Sequence, residues 1–429
     1  MIPRYLKINL IIVVFILFFV RSARAEELLT WQGCIREAAK NHPDLIAAGE
    51  EIKQSEASKK ETASTLFPQV DASVDASTAR TENSPGNSSI GDSYNYGVSA
   101  TQLIFDGTKT INNVRSASED VKAAKQNFRF TSATVRFRLR TAFVDLLRAQ
   151  EMLRITQEIY NIRRENMELI TLRYESGLEH KGALLTSEAD LASATYDISQ
   201  TKRGVEVAQR SLVKEMGRSQ LTQIVVKGDF EINDSVRNKP DFEAIAKNNP
   251  SVQQLIAQKN AADFNLKSAY ANFSPSLSGT AGANKNGSHW TPRGNQWNLG
   301  LALSMPIFEG GLRIAQVSQA KALLGQLKEN ERSARDSAIL TLEETWAILQ
   351  DAIENVGVQN KSLIATEERP KIAQAQYSTG FITFDNWIII EDNLVNAKKA
   401  FLEAQANKLY AEANWIQAKG ETLEYEQKN

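Results

Sequence analysis

Three histidines, one cysteine and 51 acidic side chains are the groups in this 429-residue chain that could carry chemistry. His42, His180 and His289 are spread through a helix, a turn and a loop, with no ligand spacing between them, so no metal site is expected. His180, near a turn, is expected to be an exposed bystander, with pH sensing and metal binding as the alternatives. Cys34 is the only cysteine, so no intrachain disulfide can form. It is expected to be a small buried residue on the first helix. Gly310-Gly311 precedes a helical stretch but lacks a following Gly-Lys, and reads as a strand-to-helix swivel and not as a phosphate loop. The acidic residues fall on solvated helix faces. No catalytic constellation and no cofactor site follow, and the expectation is a protein that is not an enzyme.

The surroundings of these groups suggest export. Arg4 and Lys7 precede an unbroken apolar run, Leu10 to Val20, and Ala23-Arg24-Ala25 supplies a small-x-small cleavage site, so residues 1–25 read as a signal peptide. The run falls short of the roughly 20 apolar residues of a spanning helix. An uncleaved anchor is the alternative. No second such run follows, so a bilayer could be crossed only by strands closed into a barrel. Without the leader the chain carries 46 basic and 51 acidic residues, a charge near −5 that argues against a nucleic-acid partner.

The chain is written twice. Lys40-Asn41-His42-Pro43 returns as Lys247-Asn248-Asn249-Pro250, 207 residues later. Ile104-Phe105-Asp106-Gly107 returns as Ile307-Phe308-Glu309-Gly310 at an offset of 203, which also relates Tyr174 and Gly177 to Tyr377 and Gly380. Glu188, Leu191 and Ala194 match Glu391, Leu394 and Ala397 at that offset. The first repeat is placed at 26–218 and the second at 241–429, with a linker at 219–240. The four-residue change lies between Pro68 and Ile104, and the Asn-, Ser-, Gly- and Pro-rich stretch Thr81 to Asp92 is expected to be a longer exposed loop.

Within each copy a period of two predicts a hairpin, at 67–105 and 275–307. Val70, Ala72, Val74 and Ala76 alternate with polar residues, as do Tyr94, Tyr96, Val98 and Ala100, and Trp297, Leu299, Leu301, Leu303 and Met305. Tyr94, Tyr96, Trp290 and Trp297 lie near the hairpin tips, and Phe67, Phe105, Phe273 and Phe308 at the opposite ends, the placement of two membrane aromatic girdles. A soluble hairpin pair with one half-buried face is the alternative. Four strands cannot enclose a water-filled lumen, whereas three chains would supply twelve.

Long helices are expected at 107–176 and 310–379, with return helices at 183–216 and 386–419 and shorter helices at 31–66 and 241–273. In the first copy Val135, Leu139, Ala142, Leu146, Tyr160, Met167, Ile170 and Tyr174 mark a coiled-coil seam, on a helix reaching roughly 100 Å. The second copy places Leu342, Leu349, Leu363, Ala373 and Tyr377 at the equivalent positions. Gly325, Gly357 and Pro370 are expected to interrupt the second long helix.

At this point the sequence resembles the TolC-type outer-membrane efflux proteins. The resemblance rests on Leu29-Thr30-Trp31, Phe67-Pro68-Gln69-Val70, Leu103 to Gly107 and Met305 to Gly311, with Tyr174 to Leu178 and Tyr377 to Phe381. It implies an α+β membrane protein: a homotrimer with a twelve-strand barrel in the outer membrane, continued by a long helical coiled-coil barrel across the periplasm. It also implies a periplasmic adaptor, an inner-membrane pump and a surrounding of outer-membrane lipid. Gly177, Leu178, Gly380 and Phe381 would then form the periplasmic tip where the adaptor docks. In the family, acidic rings stand six and nine residues after the second-copy glycine; here those positions are Asn386 and Ile389, and the nearest acid is Asp385. A constriction built on these residues would be narrower and less acidic. The function implied is a passive channel for efflux or type I secretion, the alternative being a structural coiled-coil protein of the periplasm or cell surface.

Overall fold

The computed structural model describes residues 27–84, 87–220, 223–232 and 238–423. The predicted leader, 1–25, lies outside them. The element order is β1 (Glu27–Leu29), α1 (Trp31–Asn41), α2 (Pro43–Ser64), β2 (Gln69–Ser84), β3 (Asn87–Phe105), α3 (Lys109–Glu175) and α4 (Lys181–Glu215). Then come β4 (Ile224–Val226), α5 (Phe242–Asn248), α6 (Pro250–Ala271), β5 (Ser276–Gly287), β6 (Gly294–Ser304), α7 (Leu312–Glu367), α8 (Arg369–Ser378) and α9 (Phe384–Ala418). No helix among the described residues is long and apolar enough to cross a membrane.

Proline placement corrects two expectations. The helices expected at 31–66 and 241–273 are each broken in two, because a residue before proline is pushed out of the helical region. His42 and Asn249 are accordingly extended, with ψ of 123° and 132°. Each then caps the next helix: Asp44 N–H donates to His42 Nδ1 at 3.2 Å and Ser251 N–H to Asn249 Oδ1 at 3.0 Å. Pro370, lacking an N–H, separates α8 from α7 at Glu368, which has no side-chain capping bond. Gly325 and Gly357 do not interrupt α7, since a lone glycine costs only about 1 kcal/mol in a helix interior.

The other helix ends repeat at the 203-residue offset. Gly177 and Gly380, and Gly217 and Gly420, all have positive φ. Leu178 N–H reaches Arg173 C=O and Gly177 N–H reaches Tyr174 C=O, and Phe381 and Gly380 repeat the pair on Gln376 and Tyr377. These are Schellman stops, which require a residue without Cβ strain. Gly107 and Gly310 begin the return from sheet to helix in the same way. The next position is Gly311 in the second copy but Thr108, at φ 71°, in the first.

The chain forms two compact units. One comprises residues 1–46, 131–242 and 341–429, the other 47–130 and 243–340, so each draws on both copies. The first unit has its core where α1, α3, α4, α9 and the parallel pair β1–β4 meet, around Cys34, Ile35, Leu139, Phe143, Leu146, Leu212, Met216, Ile224 and Leu409. Burial, together with nearby Glu37, pushes the Cys34 thiol up to about 12. Arg218 closes this core by forking onto both Glu27 (2.6 and 2.9 Å) and Glu37 (2.5 and 2.7 Å).

In the second unit the sheet order is β2-β3-β5-β6, all antiparallel. Directly paired residues share a face. The register therefore aligns Val74 with Tyr96 and Lys285, Ala72 with Val98, Ala283 and Trp297, and Val70 with Ala100, Ala281 and Leu299. All four strands thus turn their apolar residues to one face, where Trp297 is 81% exposed. The other face carries Asp71, Ser73, Asp75, Asn95, Ser99, Thr280, Asn284 and Asn298. Strand pairing also corrects the expected loop at Thr81 to Asp92. Alternating small and polar residues let β2 and β3 pair out to Ser84 and Asn87. The four extra residues of the first copy lengthen strands, not a loop.

Candidate functional site

In the first unit the turns after α3 and α8 are neighbours, locked by polar and aromatic contacts. The Tyr377 hydroxyl donates to Glu179 Oε2 at 2.5 Å, joining the second copy's turn to the first. Arg173 lies over the Tyr377 ring, 4.7 Å from its centroid, and donates to the Ser378 carbonyl at 3.3 Å. Burial, reinforced by Glu179, pushes the Tyr377 hydroxyl well above the usual phenol range. Burial alone would raise Glu179. The Tyr377 hydroxyl, the His180 N–H, the His180 ring and Arg173 together outweigh it and hold the carboxyl below the usual range.

Beneath these turns Tyr377 stacks on Trp387 at 4.7 Å and Phe384 meets both rings edge-on. Ile170, Ala183 and Ala373 complete the cluster. Tyr377 is 2% exposed, whereas its repeat partner Tyr174 is 37% exposed. One turn deeper, Arg163 reaches Glu391 at 3.5 Å and Asp190 at 4.0 Å, and pairs with Asp392. Asn166 donates to Glu391. Burial raises Glu391 despite Asn166 and Arg163, and it raises Asp190 too.

The residues singled out by sequence divide by face. Leu178 and Phe381 follow the two glycines and project outward, Phe381 with 83% of its surface exposed. Asp385, Asn386 and Ile389 share one exposed face of α9. Phe384 and Trp387 point the opposite way, into the core. Asp385 sits in the first turn of α9, where the helix dipole favours an acid. His180 is exposed, as expected, but it also caps α4: the Ala183 N–H is shared between its Nδ1 and its backbone carbonyl, both at 3.1 Å. In the second copy Thr383 does the same for the Asn386 N–H at 3.4 Å.

In the second unit Phe67, Phe105, Phe273 and Phe308 are exposed at one end of the sheet. At the other end Tyr94 and Tyr96 pack edge-on against exposed Trp290, whose carbonyl accepts the Tyr96 hydroxyl. Trp297 lies on the same face as Tyr96 but makes no ring contact with that trio.

A family model described as outer membrane efflux protein matches residues 34–218 and 243–421, one stretch for each copy. The chain belongs to this family. Among its relatives, outer membrane efflux protein BepC of Brucella suis biovar 1 (strain 1330) is 22% identical over 408 residues, covering 93% of this chain and 86% of BepC. Outer membrane protein TolC of Escherichia coli (strain K12) is 23% identical over 350 residues, covering 75% of this chain and 68% of TolC. The fold matches the CmeC outer membrane channel of Campylobacter jejuni with a TM-score of 0.81 at 19% identity, over 92% of this chain and 88% of that one. The MtrE channel of Neisseria gonorrhoeae, solved in its open state, gives 0.79 at 18% identity, over 92% and 89%.

This outer membrane efflux protein therefore has the α+β fold of TolC-type channels and resides in the outer membrane as a passive channel subunit.

Proposed function

We propose that the paired turns at Gly177-Leu178 and Gly380-Phe381 are the periplasmic mouth of the duct, held shut by the Tyr377–Glu179 link. The single observation that carries the duct itself is the four-stranded sheet. Among the described residues it has two unpaired edges, β2 and β6, and one continuous apolar face with no layer over it. An exposed edge needs a partner strand and an apolar face needs lipid or protein, and a barrel closed from three chains supplies both. Phe67, Phe105, Phe273 and Phe308 form one aromatic girdle, and Tyr94, Tyr96, Trp290 and Trp297 the other. The sheet's polar face becomes the lumen.

At the mouth, Leu178 and Phe381 present apolar surface to the adaptor, and Asp385, Asn386 and Ile389 line the constriction. Asp385 leaves one carboxylate per chain there, and its neighbours make the passage narrow and weakly charged. The chain acts as a conduit and not as an enzyme, with energy and cargo choice supplied by the pump. Small molecules and proteins both suit such a duct.

Reconstitution in planar bilayers tests the duct, since a protein that inserts as trimers yet passes no current would overturn it. Docking is tested by Leu178→Asp with Phe381→Asp. This double variant is expected to insert normally and lose export, and undiminished export would remove these residues from the adaptor surface. Block of conductance by divalent cations from the periplasmic side is expected to weaken in Asp385→Ala. An unchanged block would take Asp385 out of the constriction.

A further inference from the structure

We infer that the two free edges of the sheet, β6 of one chain and β2 of the next, join in one defined register, with Leu303 opposite Val74, Leu301 opposite Ala76 and Trp297 opposite Arg80. The inference rests on the reading of the sheet as one third of a barrel, and adds which residues meet across the seam between chains.

The internal repeat supplies the register. β5 repeats β2 at an offset of 207, and β6 repeats β3 at 203. These offsets carry the pair Gln69–Thr101 of the first hairpin onto Ser276–Ser304, and Ala76–Tyr94 onto Ala283–Trp297. The second hairpin makes both of those pairs, so strand pairing follows the repeat. The remaining pairing, β3 with β5, runs from the first copy to the second. Its counterpart is β6 of one chain with β2 of the next. From Tyr94 to Leu103 the β3–β5 register is unbroken, and within it Tyr94 pairs with Gly287, Val98 with Ala283 and Ala100 with Ala281. The same offsets turn these into Trp297–Arg80, Leu301–Ala76 and Leu303–Val74.

The side chains brought together in this way are complementary. Apolar residues of β6 meet apolar residues of β2, so the apolar face continues across the seam. A slip of one residue would set Leu301 and Leu303 against Ser77 and Asp75, from the polar face. A slip of two keeps the faces but moves Arg80 away from Trp297, to Leu299 or Asn295. In the inferred register Trp297 has only the small Ala283 beside it on β5, which leaves its exposed ring open to the guanidinium on its other side. An aromatic and an arginine at the rim of the apolar band suit the membrane interface.

Disulfide trapping reads the register. Leu303→Cys with Val74→Cys in one chain is expected to yield a covalent trimer under mild oxidation, since directly opposed Cβ atoms lie about 4.5–5.5 Å apart. Leu301→Cys with Val74→Cys matches a two-residue slip. Its cysteines are diagonal in the inferred register, roughly 7–8 Å apart, and a yield several-fold lower is expected. The native Cys34 is buried and stays out of the reaction. A higher yield from the second pair would overturn the register and leave the barrel standing. Intact trimers in which neither pair links chains would overturn the seam. A chain that inserts only as a monomer would sink the barrel reading, and the register with it. The Trp297–Arg80 pair gives a second readout without added cysteines. The temperature at which detergent-solubilised trimers dissociate is expected to fall by a few degrees in Arg80→Gln and in Trp297→Leu, and no further in the double variant. Additive losses would mean that the two side chains do not meet, and would overturn the register.

Discussion

Tyr377 and Glu179 are 198 residues apart in sequence, and their 2.5 Å hydrogen bond ties the last turn of one copy to the first residues after the turn of the other. The phenol is buried and the carboxylate nearly so, and a bond from a neutral donor to a charged acceptor in such a place is worth about 1.5–3 kcal/mol. Tyr377→Phe keeps the ring that stacks on Trp387 and removes the hydroxyl that meets Glu179 and Arg173. The variant is expected to raise the open fraction at neutral pH without lowering trimer yield, read as single-channel conductance. The sign of the pH dependence follows from Glu179, whose folded-state pKa lies below its ordinary value. Its contribution is present above the ordinary carboxylate range and lost as pH falls through the folded value.

Arg163 is buried among three carboxylates, and the two sides of that cluster are not equivalent. Arg163→Ala strands Glu391, Asp190 and Asp392 together and is expected to cost about 3–5 kcal/mol of local stability. Glu391→Gln keeps the bond from Asn166 and leaves Arg163 two acids, so a change within about 1 kcal/mol is expected. Burial favours the protonated form of Glu391, which works against folding as pH rises from its ordinary value through its raised one, and the amide removes that loss. Urea midpoints at neutral pH measure both, and equal losses would contradict the asymmetry.

Thr108 holds a left-handed backbone that its repeat partner Gly311 adopts freely. A β-branched residue there is strained by about 1–2 kcal/mol, part of which glycine returns as entropy of the unfolded chain. Thr108→Gly is expected to stabilise by about 1 kcal/mol, seen as a raised thermal midpoint with unchanged conductance. A lowered midpoint would mean that the weak Thr108–Asn112 contact outweighs the backbone term.

Asp71 and Asp75 are the charged residues of the sheet's polar face, and no lysine or arginine is paired beside them among the described strands. In the proposed three-chain barrel they would place six carboxylates in the lumen. Asp71→Asn with Asp75→Asn is expected to reduce the cation preference several-fold, measured as reversal potential in a salt gradient. An unaltered reversal potential would place the selectivity elsewhere.

The sequence made the strands legible because their period of two is unbroken, and Trp297, Leu299 and Val98 had only one face to share. The helix stops were legible because glycine at 177 and 380 answers a backbone demand. The polar part of the mouth was not. Arg163 and Asn166 occupy buried seam positions that a search for apolar spacing passes over, and Tyr174 and Tyr377 look alike although only the second is buried. Glu179 and His180 act through partners nearly two hundred residues away or through a backbone amide, and neither leaves a periodic trace. The repeat itself offered a signal: where one copy has Thr383 as a helix cap, the residue 203 positions earlier is a candidate for the same work.

The unequal hairpins bear on how a cell bearing this channel looks from outside. A strand of about ten residues crosses the membrane, and β5 and β6, of 12 and 11 residues, are spent in doing so. The 16 residues of β2 and the 19 of β3 are not. With the hairpin turns outward, the surplus stands clear of the lipid as a polar ribbon, one per chain. In the proposed barrel the first copy's hairpin then reaches further beyond the lipid than the second's.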